Sequence, residues 1–354
     1  MSSRRWIGAV LALLLCGGVA AALVLGNREG SELTVVRGVI GSEKKPFFDD
    51  PQVKAAFAKH GLRVEVDTAG SREIAGSVDL SGYAFAFPSS APAAEKIKKD
   101  RGASVTFSPF HSPMSVATFE PIVDALTRAG VVTGETLDIR KYLDLVAKGT
   151  RWDSLPGSSY QARKRVLLTT TDIRTSNSAA MYLAMTSYVA NGDDVVTSAE
   201  QSGKVAEAVA PLFLDQGYSE STTEAPFEDY LAMGMGKTPM VVIYEAQYAA
   251  HLFAADGAIR PEMRLLYPSP TVLSKHTLVP FDEPATRVGR LLTEDPEFAA
   301  LAARYGFRTA NPQVFANLAK NTPLTTNLVN VVEPPTYDHL EQLISLIEER
   351  YLKP

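Results

Sequence analysis

Cysteine is almost absent from this sequence. The single cysteine, Cys16, lies inside an apolar segment near the start of the chain. The rest of the protein can therefore hold neither a disulfide nor a thiolate metal site. The histidines also lie too far apart for metal-ligand spacing: His60, His111, His251, His276 and His339. We expect no resident metal ion and no other cofactor.

The common local signatures of enzymes are missing as well. The sequence has no G-x-S-x-G nucleophile elbow and no H-E-x-x-H motif. Gly236-Lys237-Thr238 matches the end of a phosphate-binding loop, but Leu231 stands where that loop requires its first glycine. The sequence thus predicts a protein that is not an enzyme. An extracytoplasmic hydrolase or transferase is the alternative, and it requires a histidine or carboxylate within about 3–4 Å of a serine in the site.

Basic residues are not in excess. The formal net charge is −5, and no basic stripe with interleaved aromatic residues occurs, which argues against a nucleic-acid partner. Apolar residues make up 45% of the chain and charged residues 21%, as in ordinary folded globular proteins. The chain after position 30 has roughly 320 residues, more than one hydrophobic core usually spans, so we expect two domains.

One long apolar run stands at the N-terminus. Arg4 and Arg5 precede it, and it extends from Trp6 to Gly26, about the length that crosses a bilayer. The positive flank should stay in the cytoplasm, which places everything after Ser31 outside it. We therefore expect residues 1–30 to form a transmembrane or signal helix that anchors the protein in the cell membrane.

Three other fates of this segment stay open. A signal peptidase could cleave near the small residues Ala20-Ala21-Ala22, and the protein would then be secreted. Cys16 could be a lipoprotein cysteine, although Leu15 stands where such sites need a small residue. Ser3-Arg4-Arg5 resembles a degenerate twin-arginine signal. The alternative is that Arg4 and Arg5 are only the two positive charges that stay on the cytoplasmic side of the membrane.

Strand and helix patterns alternate along the exported region. Runs of β-branched and aromatic residues predict strands at 33–40, 62–67, 83–87, 166–170 and 240–244, and two more within 263–280. Helices are predicted from Asp50 to Gly61, after Ser90, at 120–129, 139–147, 179–190, 199–214, 284–304 and 337–352, and from about Glu245 onward. This alternation predicts an α/β fold with a mainly parallel sheet and helices on its faces.

Small hydroxyl residues follow several of the predicted strands, on turns that lead into helices. They are Ser42, Ser71, Ser89 with Ser90, and Ser176-Asn177-Ser178. Ligands bind beyond the carboxyl ends of strands in open parallel sheets, where helix N-termini present free N–H groups and partial positive charge. The arrangement suits an anion or a polar, oxygen-rich solute. The alternative is that each serine is only a helix cap.

Charged residues flank these turns. Arg72 could neutralise a bound anion, or it could pair with Glu43 or Glu73 at the surface. Arg72 or Arg174 facing Asp172 would suit an amino acid or a peptide. A sugar would need stacking aromatic residues, and the aromatic content of 8% does not favour one. A small anion and an amino acid or peptide both stay open as the solute.

Four segments resemble a known family, the extracellular solute-binding proteins of the type II periplasmic-binding fold that feed ABC importers. Two are the turns Gly41-Ser42-Glu43 and Phe87-Pro88-Ser89-Ser90. A third is Met240-Val241-Val242-Ile243-Tyr244-Glu245, which is similar to a second-lobe strand that enters a helix beside the ligand. The last comprises 265–271 with 276–280, similar to the strands by which such chains return to their first lobe.

The resemblance implies two α/β lobes with a ligand cleft between them. Lobe one would comprise 31–115 plus 276–354 and lobe two 116–275, with hinge strands near 115–118 and 276–280. Matching by position gives the expected ligand contacts Ser42, Ser71, Ser89, Ser90, Asp172, Ser176, Asn177 and Tyr244, to which Arg72 is added from its charge. An ABC permease would be the partner of a monomeric receptor. A membrane-anchored sensory or interaction module on the same fold, without a transport role, is the main alternative.

Overall fold

The computed structural model describes residues 33–217, 220, 222–328 and 330–351. The predicted N-terminal helix over 1–30 lies outside these residues. Within them, no helix is both long and apolar enough to span a bilayer.

The first third of the fold alternates strands and helices, as predicted. Its elements are β1 (Thr34–Ile40), α1 (Lys45–Asp49), α2 (Pro51–Lys59), β2 (Leu62–Thr68), α3 (Ser71–Gly76), β3 (Phe85–Phe87) and α4 (Ala91–Arg101). Two predicted helix caps are confirmed. The Asp50 carboxylate accepts a hydrogen bond from the N–H of Gln52 at 2.7 Å, and the Ser90 hydroxyl accepts one from the N–H of Ala93 at 3.3 Å.

The rest of the chain supplies seven strands and eleven helices among the described residues. The middle elements are β4 (Phe107–Phe119), α5 (Glu120–Arg128), β5 (Val132–Thr133), β6 (Thr136–Asp138), α6 (Ile139–Ala147), α7 (Asn177–Ala190), α8 (Ala199–Val209), α9 (Pro211–Leu214), α10 (Glu224–Met233), β7 (Met240–Tyr244) and α11 (Glu245–Ala254). The last are β8 (Met263–Ser269), β9 (Thr271–Pro280), α12 (Glu283–Glu294), α13 (Pro296–Arg304), α14 (Pro312–Ala319), β10 (Val331–Val332) and α15 (Tyr337–Tyr351).

The strands form a mixed sheet rather than the mainly parallel one predicted. The order is β2-β1-β3-β9-β4-β8-β6-β5, with β7 also paired to β4 and β10 to β9. Strands β2, β1 and β3 are parallel, whereas β9 runs antiparallel to β3 and β4, and β4 runs antiparallel to β7 and β8. The difference arises because β4 and β9 join the sheet in opposite directions, a long-range pairing that local patterns do not encode.

Strand β4 takes part in two groups of strands. Its residues from Phe107 to Pro113 pair with β9, next to β3, and its residues from Met114 to Phe119 pair with β7 and β8. We call β2, β1, β3 and the adjoining part of β9 the first segment of the sheet, and β7, β8, β6 and β5 the second segment. The long strand β4 therefore connects two segments that each have helices packed on them.

Three local predictions are wrong. Residues 166–170 form no strand, and only Thr169 makes an isolated parallel bridge, to Val241. Side chains take the neighbouring N–H groups instead, since Leu168 N–H donates to the hydroxyl of Tyr142 and Thr170 N–H donates to Gln216. The single helix predicted over 199–214 is divided into α8 and α9 just before Pro211, and the one predicted over 284–304 is divided into α12 and α13 just before Pro296. In both places the proline has no N–H for the helix.

Candidate functional site

The turns after β2 and β3 meet at one edge of the first segment. Ser71 begins α3, and its buried hydroxyl accepts a hydrogen bond from the N–H of Ser89 at 2.8 Å. Ser89 itself is fully buried in the turn after β3. A Cβ atom on Gly41, in the turn after β1, would lie 2.5 Å from the Ser89 hydroxyl, so the approach of this turn favours glycine. The carboxyl ends of the three parallel strands thus converge, as the serine pattern predicts.

The start of α7 and the end of β7 face these turns. The side-chain amide of Asn177 donates to the carbonyl oxygen of Ser89 at 2.8 Å and to the hydroxyl of Tyr244 at 3.0 Å. All three residues are buried. Burial, with a smaller contribution from the negative charge of Glu43, raises the pKa of Tyr244 far above its ordinary range, so its hydroxyl stays protonated. The structure therefore brings together three of the predicted residues, although their role as ligand contacts stays a prediction.

A buried ion pair that the sequence patterns do not predict lies beside Ser89. The ammonium of Lys44 lies 2.5 Å from the carboxylate of Glu43, 2.7 Å from the hydroxyl of Ser89 and 3.2 Å from Nδ1 of His276. The same Ser89 hydroxyl donates to Glu43. The side chains of Lys44 and His276 are fully buried, and that of Glu43 is 9% exposed. The Ser89 hydroxyl and the Lys44 ammonium at this turn therefore already bind a carboxylate of the protein itself, that of Glu43.

Burial and charge set the protonation of this cluster. Burial alone would raise the pKa of Glu43, but Lys44 and His276 lower it more, and it ends well below its usual range. Burial and the charge of Lys44 lower the pKa of His276 to about 4. At neutral pH the cluster therefore consists of the Glu43 carboxylate, the neutral imidazole of His276 and the Lys44 amine. Burial lowers the pKa of Lys44 and the charge of Glu43 raises it, and the net direction is downward.

Arg72 is engaged by the C-terminal helix. Its guanidinium pairs with Glu341 at 2.8 Å and with Glu348 at 2.9 Å, both on α15, and it also donates to the carbonyl oxygen of Arg174. The expected alternative partners, Glu43 and Glu73, are therefore not the ones that pair with it.

Asp172 and the other predicted residues mostly stabilise their own turns. The Asp172 carboxylate accepts from Nε of Arg174 at 2.9 Å. Burial would raise the pKa of Asp172, but these hydrogen bonds lower it, and the net direction is downward. The Ser176 hydroxyl lies 3.0 Å from that of Ser178 and does not cap α7. Ser90 caps α4, and half-buried Ser42 begins a single 3-10 turn.

The distance condition for a hydrolase is met at Ser89, but access to it is lacking. Its hydroxyl contacts the carboxylate of Glu43 and lies 2.7 Å from the amine of Lys44. The serine is 0% exposed. A substrate cannot reach this hydroxyl in the arrangement observed, so the contacts stabilise the turn.

A cavity of about 670 Å³ opens next to this cluster. Its walls come from both segments: Glu43 and Tyr305 pack with the first, and Phe227, Gln247 and Phe253 belong to α10 and α11 beside β7. None of the nine predicted residues lines it. Their neighbours do, because Glu43 follows Ser42 and Gln247 accepts a hydrogen bond from the N–H of Tyr244 at 3.1 Å.

A second buried ion pair lies at the start of α11. The guanidinium of Arg308 donates twice to the fully buried carboxylate of Glu245, at 2.7 and 2.8 Å. The hydroxyl of Tyr267 donates to the same carboxylate at 2.6 Å. The only local sign of this pair in the sequence is that Glu245 directly follows the buried strand β7. The ion pair between Glu245 and Arg308 links the start of α11 to the segment that follows α13.

The described residues contain no group of three or more His, Cys, Asp or Glu side chains placed to hold a metal ion.

Comparisons with known proteins identify the fold. No family model matches the chain, and no match was found among curated proteins. Iron-bound HitA from Pseudomonas aeruginosa matches with a TM-score of 0.56 at 12% identity, over 89% of this chain and 99% of that one. An ABC transporter solute-binding protein from Thermotoga lettingae, bound with α-D-tagatose, matches with a TM-score of 0.56 at 13% identity, over 90% and 94%. The sulfate-binding protein SubI from Mycobacterium tuberculosis matches with a TM-score of 0.51 at 15% identity, over 87% and 96%.

These identities are low, and the similarity concerns the fold. It extends over nearly the whole described chain and over nearly the whole of each solved structure. The predicted resemblance is therefore confirmed at the level of architecture: this chain has the two-lobed type II fold of the periplasmic solute-binding proteins of ABC transporters.

Proposed function

We propose that this chain is an extracytoplasmic solute-binding protein that captures a small solute between two lobes and presents it to an ABC permease. The lobes are 31–115 plus 276–354 and 116–275, with β4 and β9 as the strands that cross between them. Residues 1–30 hold the protein at the outer face of the cell membrane, or direct its secretion if they are cleaved. The fold supports the proposal, since the similar solved structures include binding proteins for several solutes.

The observation that carries this proposal is the cavity with walls from both segments. A solute there would contact Glu43 and Tyr305 on one side and Phe227 and Phe253 on the other. A ligand that touches both lobes binds their closed arrangement better than an open one, and it therefore shifts the population toward closure. Closure of this kind can report occupancy to a membrane partner.

The predicted site residues have a place in this scheme. Ser89, Asn177 and Tyr244 form the inner contact between the lobes, and Ser42, Ser71, Arg72, Ser90, Asp172 and Ser176 shape the surrounding turns. Glu43 connects this inner contact to the cavity, because it accepts from Ser89 and also lines the cavity wall. We propose that lobe opening exposes the inner residues and that closure brings them toward the solute.

The proposal is tested with the purified full-length chain. Thermal unfolding and small-angle scattering are measured with oxyanions, amino acids, short peptides, sugars and organic amines. A ligand at 100 times its Kd should stabilise the protein by about 2.7 kcal/mol. That ligand should also change the radius of gyration. A chain that melts cooperatively, yet responds to none of these solutes in either measurement, would contradict the proposal.

One observation favours a second candidate, a sensory or interaction module without a transported solute. The Ser89 hydroxyl and the Lys44 amine already bind the carboxylate of Glu43, which belongs to the protein itself. Such a module would show no response to any solute, and it would co-purify with a membrane protein other than a permease.

A further inference from the structure

The cavity between the two segments has an excess of negative charge. Its walls carry the carboxylates of Glu43, Glu224, Glu228 and Asp256, against the single permanent cation Arg304. Arg304 already donates to the side chain of Gln52 at 2.7 Å.

Two of these carboxylates have partners inside the protein. Glu43 is paired with Lys44, and Asp256 lies 2.6 Å from Nδ1 of His251. Glu224 and Glu228 have no ion-pair partner among the residues that the structure describes. Glu224 and Glu228 are therefore the carboxylates of the cavity that are available to pair with a charged ligand.

The two unpaired carboxylates are placed as neighbours. Glu224 and Glu228 are separated by four residues on α10, so they lie one turn apart on one face of the helix. Both line the cavity and are exposed, which places them at its open edge. Partial desolvation at the cavity edge, then the negative charges of Glu228 and Glu43, raise the pKa of Glu224, although Lys45 acts in the opposite direction. The local potential at this edge is therefore negative, and a cation would relieve the repulsion.

The inner wall of the same cavity is apolar. Phe227, Leu231, Ala250 and Phe253 come from α10 and α11, and Tyr305 closes the opposite side. The volume of about 670 Å³ lies within the usual range for sites that bind small organic molecules, about 300–1,000 Å³. A naked metal ion would not use this surface, whereas the faces of aromatic rings attract organic cations.

We propose that the solute of this protein is an organic cation, an amine or quaternary ammonium that carries an apolar group. The charged group lies at Glu224 and Glu228, and the apolar group packs against Phe227 and Phe253. This inference rests on the proposed function, because it places the solute in the cavity between the lobes.

The same geometry disfavours the oxyanion expected from the serine turns. An anion at the turn after β3 would have to displace the Glu43 carboxylate from Ser89 and Lys44. An anion in the cavity would face Glu224 and Glu228, which have no ion-pair partner among the described residues. Both placements are repulsive, so the charge preference of the site should be clear in a binding measurement.

The experiment compares three probes of similar shape with different charge. They are 2-phenylethylamine, 2-phenylethanol and 3-phenylpropanoate, and a tetraalkylammonium ion and an aliphatic diamine widen the cationic set. Binding to the full-length chain is measured by thermal unfolding and by calorimetric titration. We expect at least one cation to bind and the neutral and anionic probes to bind at least about tenfold more weakly, the factor that corresponds to about 1.4 kcal/mol.

Charge-neutralising variants locate the site. Glu228→Gln should weaken binding of the cation about tenfold, and the double variant Glu224→Gln/Glu228→Gln should weaken it further. Glu207→Gln is the matched control, because Glu207 lies exposed on α8, away from the cavity. Unfolding curves of all variants without ligand show whether each one is folded.

The outcomes separate this inference from the proposed function. Binding of anions or sugars but of no cation would overturn the organic cation and leave the solute-binding function standing. Cation binding that is unchanged in the double variant would overturn the proposed site. Failure of every probe here, and of every solute in the broader set, would overturn both.

Discussion

The replacement of Lys44 by methionine tests the buried cluster most directly. The substitution keeps an unbranched side chain of similar size and removes the ammonium group, with its charge and its hydrogen-bond donors. In the wild type the ammonium contacts Glu43, Ser89 and His276 and lies 4.9 Å from the ring centre of Phe87, all in the interior. The variant leaves the Glu43 carboxylate buried without its opposite charge.

The expected cost is large for a single substitution. Breaking a buried ion pair by removing one partner typically costs about 3–5 kcal/mol. An entropy of unfolding near 2 cal/mol/K per residue gives roughly 0.7 kcal/mol/K for about 320 residues, so the Tm should fall by about 4–8 °C. The double variant Glu43→Gln/Lys44→Met removes both charges, and it should recover most of this loss because no uncompensated charge is left in the interior.

The next residue in the chain provides a matched control. Lys45 pairs with Asp49 on the surface, where the two side chains are 51% and 48% exposed. Lys45→Met should therefore change the free energy of unfolding by less than about 1 kcal/mol. Calorimetry gives the Tm of each variant, and urea unfolding gives the free energy independently.

Two results would refute the reasoning. One is a Lys44→Met variant that melts within about 1 °C of the Lys45→Met control. The other is a double variant whose loss of stability equals the sum of the losses of Lys44→Met and of the single variant Glu43→Gln, since independent sites add and coupled charges do not.

Three further outcomes are expected. Asn177→Ala removes buried hydrogen bonds, including the one to Tyr244, and should cost about 1–3 kcal/mol in urea unfolding. His276 alone should lower the free energy of unfolding by up to about 3 kcal/mol from pH 6.5 to pH 4. Its folded-state pKa is about 4, below its ordinary value of 6.5, so the unfolded chain binds more protons in this window. The pKa of His111 is also lowered to about 4 and adds to the fall, so calorimetry should show a smaller but not abolished fall in His276→Gln. Arg308→Met leaves Glu245 buried without its cation and should lower the free energy of unfolding in urea by about 3–5 kcal/mol. The double variant Glu245→Gln/Arg308→Met should recover most of this loss.

Local patterns were sufficient for much of the fold. Asp50 before Pro51 predicts a helix start that the structure confirms, because a cap and its helix are neighbours in the chain. The apolar run from Met240 to Tyr244 becomes β7 and enters α11 at once, as predicted. The convergence of the serine turns followed from the rule that parallel strands end at a common edge.

Long-range contacts decided the features that sequence reasoning missed. Lys44 stands in a polar stretch typical of a solvated turn, but it is buried against Ser89 and against His276, which is 232 positions away. Residues 166–170 have the composition of a strand, but a strand needs a partner along its length, and side chains satisfy its N–H groups instead.

The sequence by itself determined the alternation of elements, the caps and the resemblance to solute-binding proteins, because these depend on residues close together in the chain. Only the tertiary structure decided where charge is compensated and where it is not. The cavity is assembled from the turn after β1, from α10 and α11, and from the end of α13. Whether Glu228 finds a cation depends on contacts across that distance, and electrostatic energy depends on spatial separation rather than on separation along the chain.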